Sequence, residues 1–241
     1  MWYNILKELQ MYKKGDFHIH STSSDGGYTP KQVVNFAKKR GVDIISLTDH
    51  NNTCGIDESI LEGERIGVKV IPGVELSTKH KNGSRVHILG YFKDESYKDE
   101  LLVKILKDVK NHKINNIKKV LGRYIEINKG DGLSVDNGIK ILKFFGATVV
   151  LAHPVLINRN DFKEIIKLDF DGLEAKYFSN TDEDTKYFLE VAKNKNILYT
   201  AGSDFHNHNE FYRAHGLIGD VYLNENEIYN FLTKGGLYPY I

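Results

Sequence analysis

A chain of 241 residues with a formal net charge of +1 and a single cysteine can bury one sizeable core, carries no charge excess that would suit a polyanion over its whole surface, and cannot close an intrachain disulfide. Residues 1–10 lack the apolar stretch of a secretory signal, and no segment is apolar for the length of a bilayer, so a cytoplasmic chain with no membrane contact is expected. No linker, repeat or low-complexity tract divides the sequence, and a single domain over residues 1–241 is expected.

In chain order, Trp2, Ile5, Leu6 and Leu9 fall at helical spacing and predict a short amphipathic helix. Asp16-Phe-His18-Ile-His20 follows, with Asp16 read as a turn residue before a strand. At a strand end His18 and His20 point to one face, where two imidazoles can converge on one ion. Ser24-Asp25-Gly26 reads as a loop, and residues 29–40 as a helix with Thr29 as N-cap, Pro30 in its first turn and Gly41 after it. Thr48-Asp49-His50 closes the next apolar run, where Asp49 either orients a ligand from behind or caps its own loop.

Val70-Ile-Pro-Gly-Val-Glu75-Leu-Ser77 and Arg85-Val-His87-Ile-Leu-Gly90 place a carboxylate and a histidine in two further apolar runs. Residues 93–146 read as a helical insert between the fourth and fifth strands. Within it, residues 100–124 are predicted as one helix with Leu102, Leu106, Val109, Ile117 and Leu121 on one face. Its second half carries Lys107, Lys110, Lys113, Lys118, Lys119 and Arg123, which form either a solvated face or a cover that attracts phosphorylated substrates. Thr148-Val-Val-Leu-Ala-His153-Pro154 and Leu198-Tyr-Thr-Ala-Gly-Ser-Asp204-Phe-His206 repeat the strand-then-ligand arrangement, with helices predicted over residues 162–168 and 182–193. Strand and helix alternate, polar residues gather at many strand ends, and an α/β barrel is expected rather than an open sheet with one switch point.

Together these motifs resemble the PHP family, the polymerase and histidinol phosphatase superfamily, from Gly15 to His206. Asp-x-His-x-His-Ser, Ser-Asp-Gly, Thr-Asp-His, Pro-Gly-x-Glu, His-x-Leu-Gly, Ala-His-Pro and Gly-Ser-Asp-x-His occur in that family's order. The stretch Asp171-Gly-Leu-Glu174 is similar to the family's small stand-alone phosphoesterases. The resemblance implies a distorted (β/α)7 barrel and a trinuclear metal site. His18, His20, Glu75 and Asp204 would hold one ion, Asp25, His50 and His206 a second, and Glu75, His87 and His153 a third, with Glu75 bridging. His80, His112, His208 and His215 fall outside the motifs, and His208 reads as loop.

Histidines and carboxylates without thiolates suit up to three divalent ions of Mn, Zn or Fe. Arg85, Arg159, Lys176 and Ser203 are candidates for binding substrate phosphate. The expected activity is metal-dependent phosphoester hydrolysis by attack of a metal-bridging hydroxide. Its expected substrates are small phosphomonoesters, particularly 3′,5′-nucleoside bisphosphates, or 5′-phosphorylated oligoribonucleotides. The enzymatic alternative is a histidinol-phosphate phosphatase. The alternative of another class, a non-hydrolytic metal-binding accessory domain, is opposed by the complete ligand set. No protein partner can be read from the sequence.

Overall fold

The computed structural model describes residues 12–123, 132–208 and 215–237. The helix expected near the N-terminus lies outside the described residues. The strands are β1 (Lys14–Ile19), β2 (Ile44–Leu47), β3 (Lys69–Lys79), β4 (Arg85–Tyr91), β5 (Thr148–Leu151), β6 (Gly172–Tyr177), β7 (Leu198–Gly202) and β8 (Leu223–Asn224). They form one 8-stranded sheet in the order β7-β6-β5-β4-β3-β2-β1-β8. Past the end of β7 the chain returns to β1, where the Asp204 N–H donates to the His18 carbonyl and the His20 N–H to that of Phe205, both at 2.9 Å. The sheet is thereby a nearly closed barrel.

β1, β2 and β3 are parallel to one another, as are β5, β6 and β7, but β4 runs antiparallel to both of its neighbours. The distortion of the barrel lies there: residues 80–84 turn β3 directly into β4, with no helix between. The start of β4 therefore lies at the same rim as the ends of the parallel strands.

The helices are α1 (Pro30–Lys39), α2 (Ile56–Ile66), α3 (Glu100–Lys110), α4 (Ile114–Leu121), α5 (Val135–Phe144), α6 (Arg159–Ile165), α7 (Asp182–Lys195) and α8 (Glu225–Lys234). Thr29 and Gln32 form the capping box that starts α1. The single helix expected over residues 100–124 is two, because Asn111 caps α3 and His112 takes a left-handed φ of 57°. The Lys113 N–H then turns back to the Asp108 carbonyl at 2.7 Å. The predicted apolar face nevertheless holds, since Leu102, Leu106, Val109, Ile117 and Leu121 are all buried. α6 begins before its predicted start, where the Asn158 side chain accepts the Asn160 and Asp161 N–H groups.

Barrel interior and outer shell pack separately. α3 to α7 cover β3 to β6 from outside, while α1 and α2 cover β1 to β3. Inside, Phe17, Ile44, Ile71, Leu89, Tyr91, Val150 and Ala201 fill the end where the parallel strands begin. α8 lies across that end, its Phe231 ring 4.6 Å from Phe17 and 5.1 Å from Tyr91. No helix among the described residues is long and apolar enough to cross a membrane.

Candidate metal centre

Above this apolar floor the interior turns polar. The register of β1 against β2 shifts between Asp16 and Ile19. That irregularity lets Phe17 join the interior core and His18, its neighbour in sequence, join the polar layer, as bulges beside functional sites commonly do. On the opposite wall Glu75, Ser77 and Lys79 alternate up one face of β3, and Leu89, His87 and Arg85 stand directly across from them on β4.

Glu75 is the hub. Its Oε2 faces His18 Nε2 at 3.3 Å, His20 Nε2 at 3.2 Å and His50 Nδ1 at 3.0 Å. Its Oε1 faces His87 Nδ1 and His153 Nε2, each at 3.0 Å. Asp204 turns Oδ1 to His18 at 3.3 Å and to His20 at 3.0 Å. At the mouth, Asp25 meets His206 at 3.3 Å, His50 at 3.6 Å and His20 at 3.7 Å. Ligand atoms within 4.8 Å of one another fall into the sets His18/His20/Glu75/Asp204, His20/Asp25/His50/His206, His50/Glu75/His87 and Asp204/His206/His215. The first set is the grouping expected for one ion. The second adds His20 to the expected trio, and in the third His50 stands with Glu75 and His87 where His153 was expected, although His153 contacts the same Glu75 oxygen.

These residues fit divalent ions. His18 Nε2, both ring nitrogens of His20, His50 Nδ1, His153 Nδ1 and Glu75 Oε2 are buried without a hydrogen-bond partner, a costly arrangement for polar atoms unless a cation completes it. Nitrogen and oxygen donors without sulfur suit Mn²⁺, Zn²⁺ or Fe²⁺. The charges of the centre act strongly on one another. Burial opposes charge on His18 and His20, yet the surrounding carboxylates prevail, lifting His18 well above its usual range and His20 to about 9. Burial also opposes charge on Glu75 and Asp204, but the histidines hold both well below the usual carboxylate range. His50 goes the other way, lowered to about 4 by burial and by the neighbouring His20 and His87.

The backbone is strained here as well: His153 has φ 27°, Asp204 φ 52°, and Asn51, next to His50, φ 49°. Such left-handed non-glycine residues cluster at functional sites. A layer behind the candidate ligands fixes them. Glu174, fully buried, contacts His18 Nδ1 through Oε1 at 3.0 Å and accepts the His153 N–H on Oε2 at 2.7 Å. Tyr177 donates its hydroxyl to Asp204 Oδ2 at 2.8 Å, and His215 Nδ1 lies 3.0 Å from the same oxygen. No local motif marks His215, and nothing in the spacing around Glu174 marks it as a partner of His18.

Asp49 contacts no candidate histidine side chain. It accepts from the Ser21 N–H and hydroxyl and the Ser24 hydroxyl at 2.6 to 2.8 Å, so it holds the loop that carries Asp25. Asp16 lies inside β1 rather than in a turn before it, accepting the Ser203 and Gly219 N–H groups at 3.1 and 2.8 Å. Burial raises it to about 6 against those hydrogen bonds. His208 packs its ring on Tyr28, Phe36 and Phe205.

A model of the PHP domain matches residues 16–222 of this sequence. The chain belongs to the PHP domain family. This PHP domain is 27% identical to a 5′-3′ exoribonuclease of Haemophilus influenzae over 81% of its own length and 91% of the relative's. It is 26% identical to a phosphoribosyl 1,2-cyclic phosphate 1,2-diphosphodiesterase of Eggerthella lenta over 79% and 93% of the two chains. Its fold is similar to a crystal structure named as a metal-dependent phosphoesterase from Bifidobacterium adolescentis, with a TM-score of 0.72 and 21% identity over 92% of this chain and 96% of the other. The PHP domain is a metal-dependent phosphoesterase, a hydrolase.

Beside the metal centre of this PHP domain opens a cleft of about 310 Å³, lined by Asp25, His50 and His87 on one side and by Lys79, Arg85 and His112 on another. Of the candidate phosphate contacts, Arg85 alone lines this cleft. Ser203 is buried, with its N–H on Asp16. Lys176 follows a register shift in β6 between Glu174 and Lys176 and has its Nζ on the Glu227 carboxylate at 2.6 Å. Arg159 lies over the Tyr187 ring, 6.0 Å from its centre, at the start of α6. The lysines of α3 and α4 are exposed and none lines the cleft, so the insert contributes Val109, His112 and Ile114 to its wall instead.

Proposed function

We propose that this PHP domain hydrolyses phosphomonoesters of the nucleotide class, either 3′,5′-nucleoside bisphosphates or the 5′-phosphorylated ends of short RNA, with three divalent ions held by His18, His20, Asp25, His50, Glu75, His87, His153, Asp204 and His206. The observation that carries this reading is Glu75, whose two oxygens are divided between His18, His20 and His50 on one side and His87 and His153 on the other. A single buried carboxylate with that many imidazoles suits a bridge between ions. The name of the Haemophilus influenzae relative, a 5′-3′ exoribonuclease, supports a phosphorylated nucleic-acid substrate.

Bound there, Mn, Zn or Fe ions would neutralise phosphate charge and lower the pKa of water. The chain's own residues supply the rest. Glu174 sets the ring of His18 so that Nε2 faces the centre, and Tyr177 with His215 holds Asp204 Oδ2 so that Oδ1 does. Asp25, 54% exposed, stands at the opening where a phosphate would enter. The cleft lies against that opening, with room for the organic part of the substrate.

The test is a panel of nucleoside monophosphates and bisphosphates, histidinol phosphate, phosphodiesters and short RNAs with and without a 5′-phosphate, assayed with each metal. Metal-dependent release of phosphate or nucleotide from the nucleotide-class compounds is expected. Turnover confined to histidinol phosphate or to cyclic diesters would replace this reading.

A further inference from the structure

We infer that Lys79, Arg85 and His112 form a second anion subsite, which takes a phosphate lying about one sugar away from the one held at the metal centre, so that the preferred substrate is doubly phosphorylated. This deepens the proposed function and rests on it for the identity of the first phosphate site.

Three observations point there. Lys79 and Arg85 are paired residues across the antiparallel β3–β4 ladder, so their side chains leave the same face side by side. Like charges directly opposite one another destabilise a sheet, and among the described residues no carboxylate lies within ion-pairing distance of either. An anion between them would relieve that repulsion. The pair also stands on the ladder that carries the metal centre: Ser77 and His87 are the next pair on that face and Glu75 and Leu89 the one after. A strand advances about 3.4 Å per residue, which sets Arg85 about 7 Å beyond His87 along the strand and Lys79 about twice that beyond Glu75. Long basic side chains reaching back from those positions suit a second phosphate separated from the first by a ribose.

Both partners are built in place. Lys79 is fixed by its backbone, whose N–H donates to the Leu133 carbonyl at 2.8 Å, and its aliphatic stem crosses Gly132, where an added Cβ would lie 2.7 Å from the Lys79 Cδ. A side chain at Gly132 would push the stem aside. The break between α3 and α4 presents His112 to the same cleft, and this residue holds a left-handed φ of 57° to do so. An imidazole ring N–H there adds a third donor to the set around the anion.

The experiment compares wild type, Arg85→Gln, the Lys79→Gln/Arg85→Gln double variant and a Lys110→Gln/Lys113→Gln control in two measurements. Calorimetric titration of the metal-free chain with adenosine 3′,5′-bisphosphate reads binding without turnover. Kinetics of the metal-loaded chain read KM for the same compound and for p-nitrophenyl phosphate. The subsite predicts about a tenfold or larger loss of bisphosphate affinity in the double variant, a smaller loss in Arg85→Gln and none in the control. KM should rise about tenfold more for the bisphosphate than for the aryl phosphate, and the difference should shrink in high salt. Thermal stability of the variants should match or exceed wild type, because a like-charge pair has been removed. Unchanged affinity in the double variant, or equal KM changes for both compounds, overturns the subsite. Hydrolysis of neither compound with the binding pattern intact would count against the proposed reaction while supporting the subsite.

Discussion

Glu174 Oε1 lies 3.0 Å from His18 Nδ1, and its other oxygen accepts the backbone N–H of His153 at 2.7 Å, so one buried carboxylate orients two candidate ligands from strands on opposite sides of the cavity. With the carboxylate accepting from Nδ1–H, Nε2 is the nitrogen that faces Glu75 and Asp204 and that a metal would take once its own proton is displaced. Glu174→Gln removes the charge at nearly constant volume. We expect metal affinity to fall about 10- to 100-fold with the far-UV circular dichroism unchanged. Wild-type affinity in that variant would show that Glu174 only fills space.

Gly202 tests the same arrangement from the other side. A Cβ at this position would overlap both Glu174 Oε1 and His18 Cβ, because β7 passes directly under their contact. Gly202→Ala is therefore expected to lower both metal affinity and melting temperature, whereas Glu174→Gln lowers chiefly the first. Metal titration and thermal unfolding of the two variants side by side distinguish a displaced ligand from a lost charge.

Metal analysis after saturation and gel filtration should reach three ions per chain, as the trinuclear reading of the nine candidate ligands requires. A ceiling of one would overturn the trinuclear reading. Binding must also displace protons, and the pH window follows from His20, whose charge burial opposes but which the Asp204 and Glu75 carboxylates raise to about 9. Its folded pKa lies above its unfolded value near 6.5, so in the metal-free chain it contributes stability that is complete below about 6.5 and lost as pH rises through about 9. Metal binding has the opposite dependence: affinity should climb through that interval as the competing proton leaves. His50, lowered to about 4, gives up no proton near neutrality and should not contribute. Isothermal titration in buffers of different ionisation enthalpy counts the protons released.

Replacing Asp204 needs care, because its φ of 52° suits Asp or Asn and strains alanine. Asp204→Asn and His20→Ala are each expected to remove most turnover while keeping the fold, since both side chains face the polar rim rather than the packed floor. Phosphatase rates beside circular dichroism decide it, and full activity in either variant would contradict the assigned role.

The lysines of α3 and α4 yield a negative prediction. They are exposed and line no part of the cleft, so Lys110→Gln/Lys113→Gln should change KM equally little for singly and doubly phosphorylated substrates. A selective rise for the bisphosphate would restore the basic cover considered from sequence alone.

What the sequence by itself determined was local. His18-x-His20 and Asp204-x-His206 each bring two groups to one strand end, Thr29 with Gln32 starts a helix, and the apolar face of residues 100–121 is buried as its spacing requires. These features depend on residues a few positions apart, where backbone geometry allows few outcomes. Tertiary structure decided which strand ends meet and which way their side chains turn. The shift in β6 sends Lys176 out to Glu227, and an antiparallel β4 sets Arg85 opposite Lys79. A left-handed residue breaks one expected helix in two and turns His112 to the cleft. His215 reaches Asp204, and Glu174 joins His18 to His153, through contacts between segments far apart in the chain. A one-residue change of register reverses the face a strand residue occupies, and composition and spacing carry no record of it.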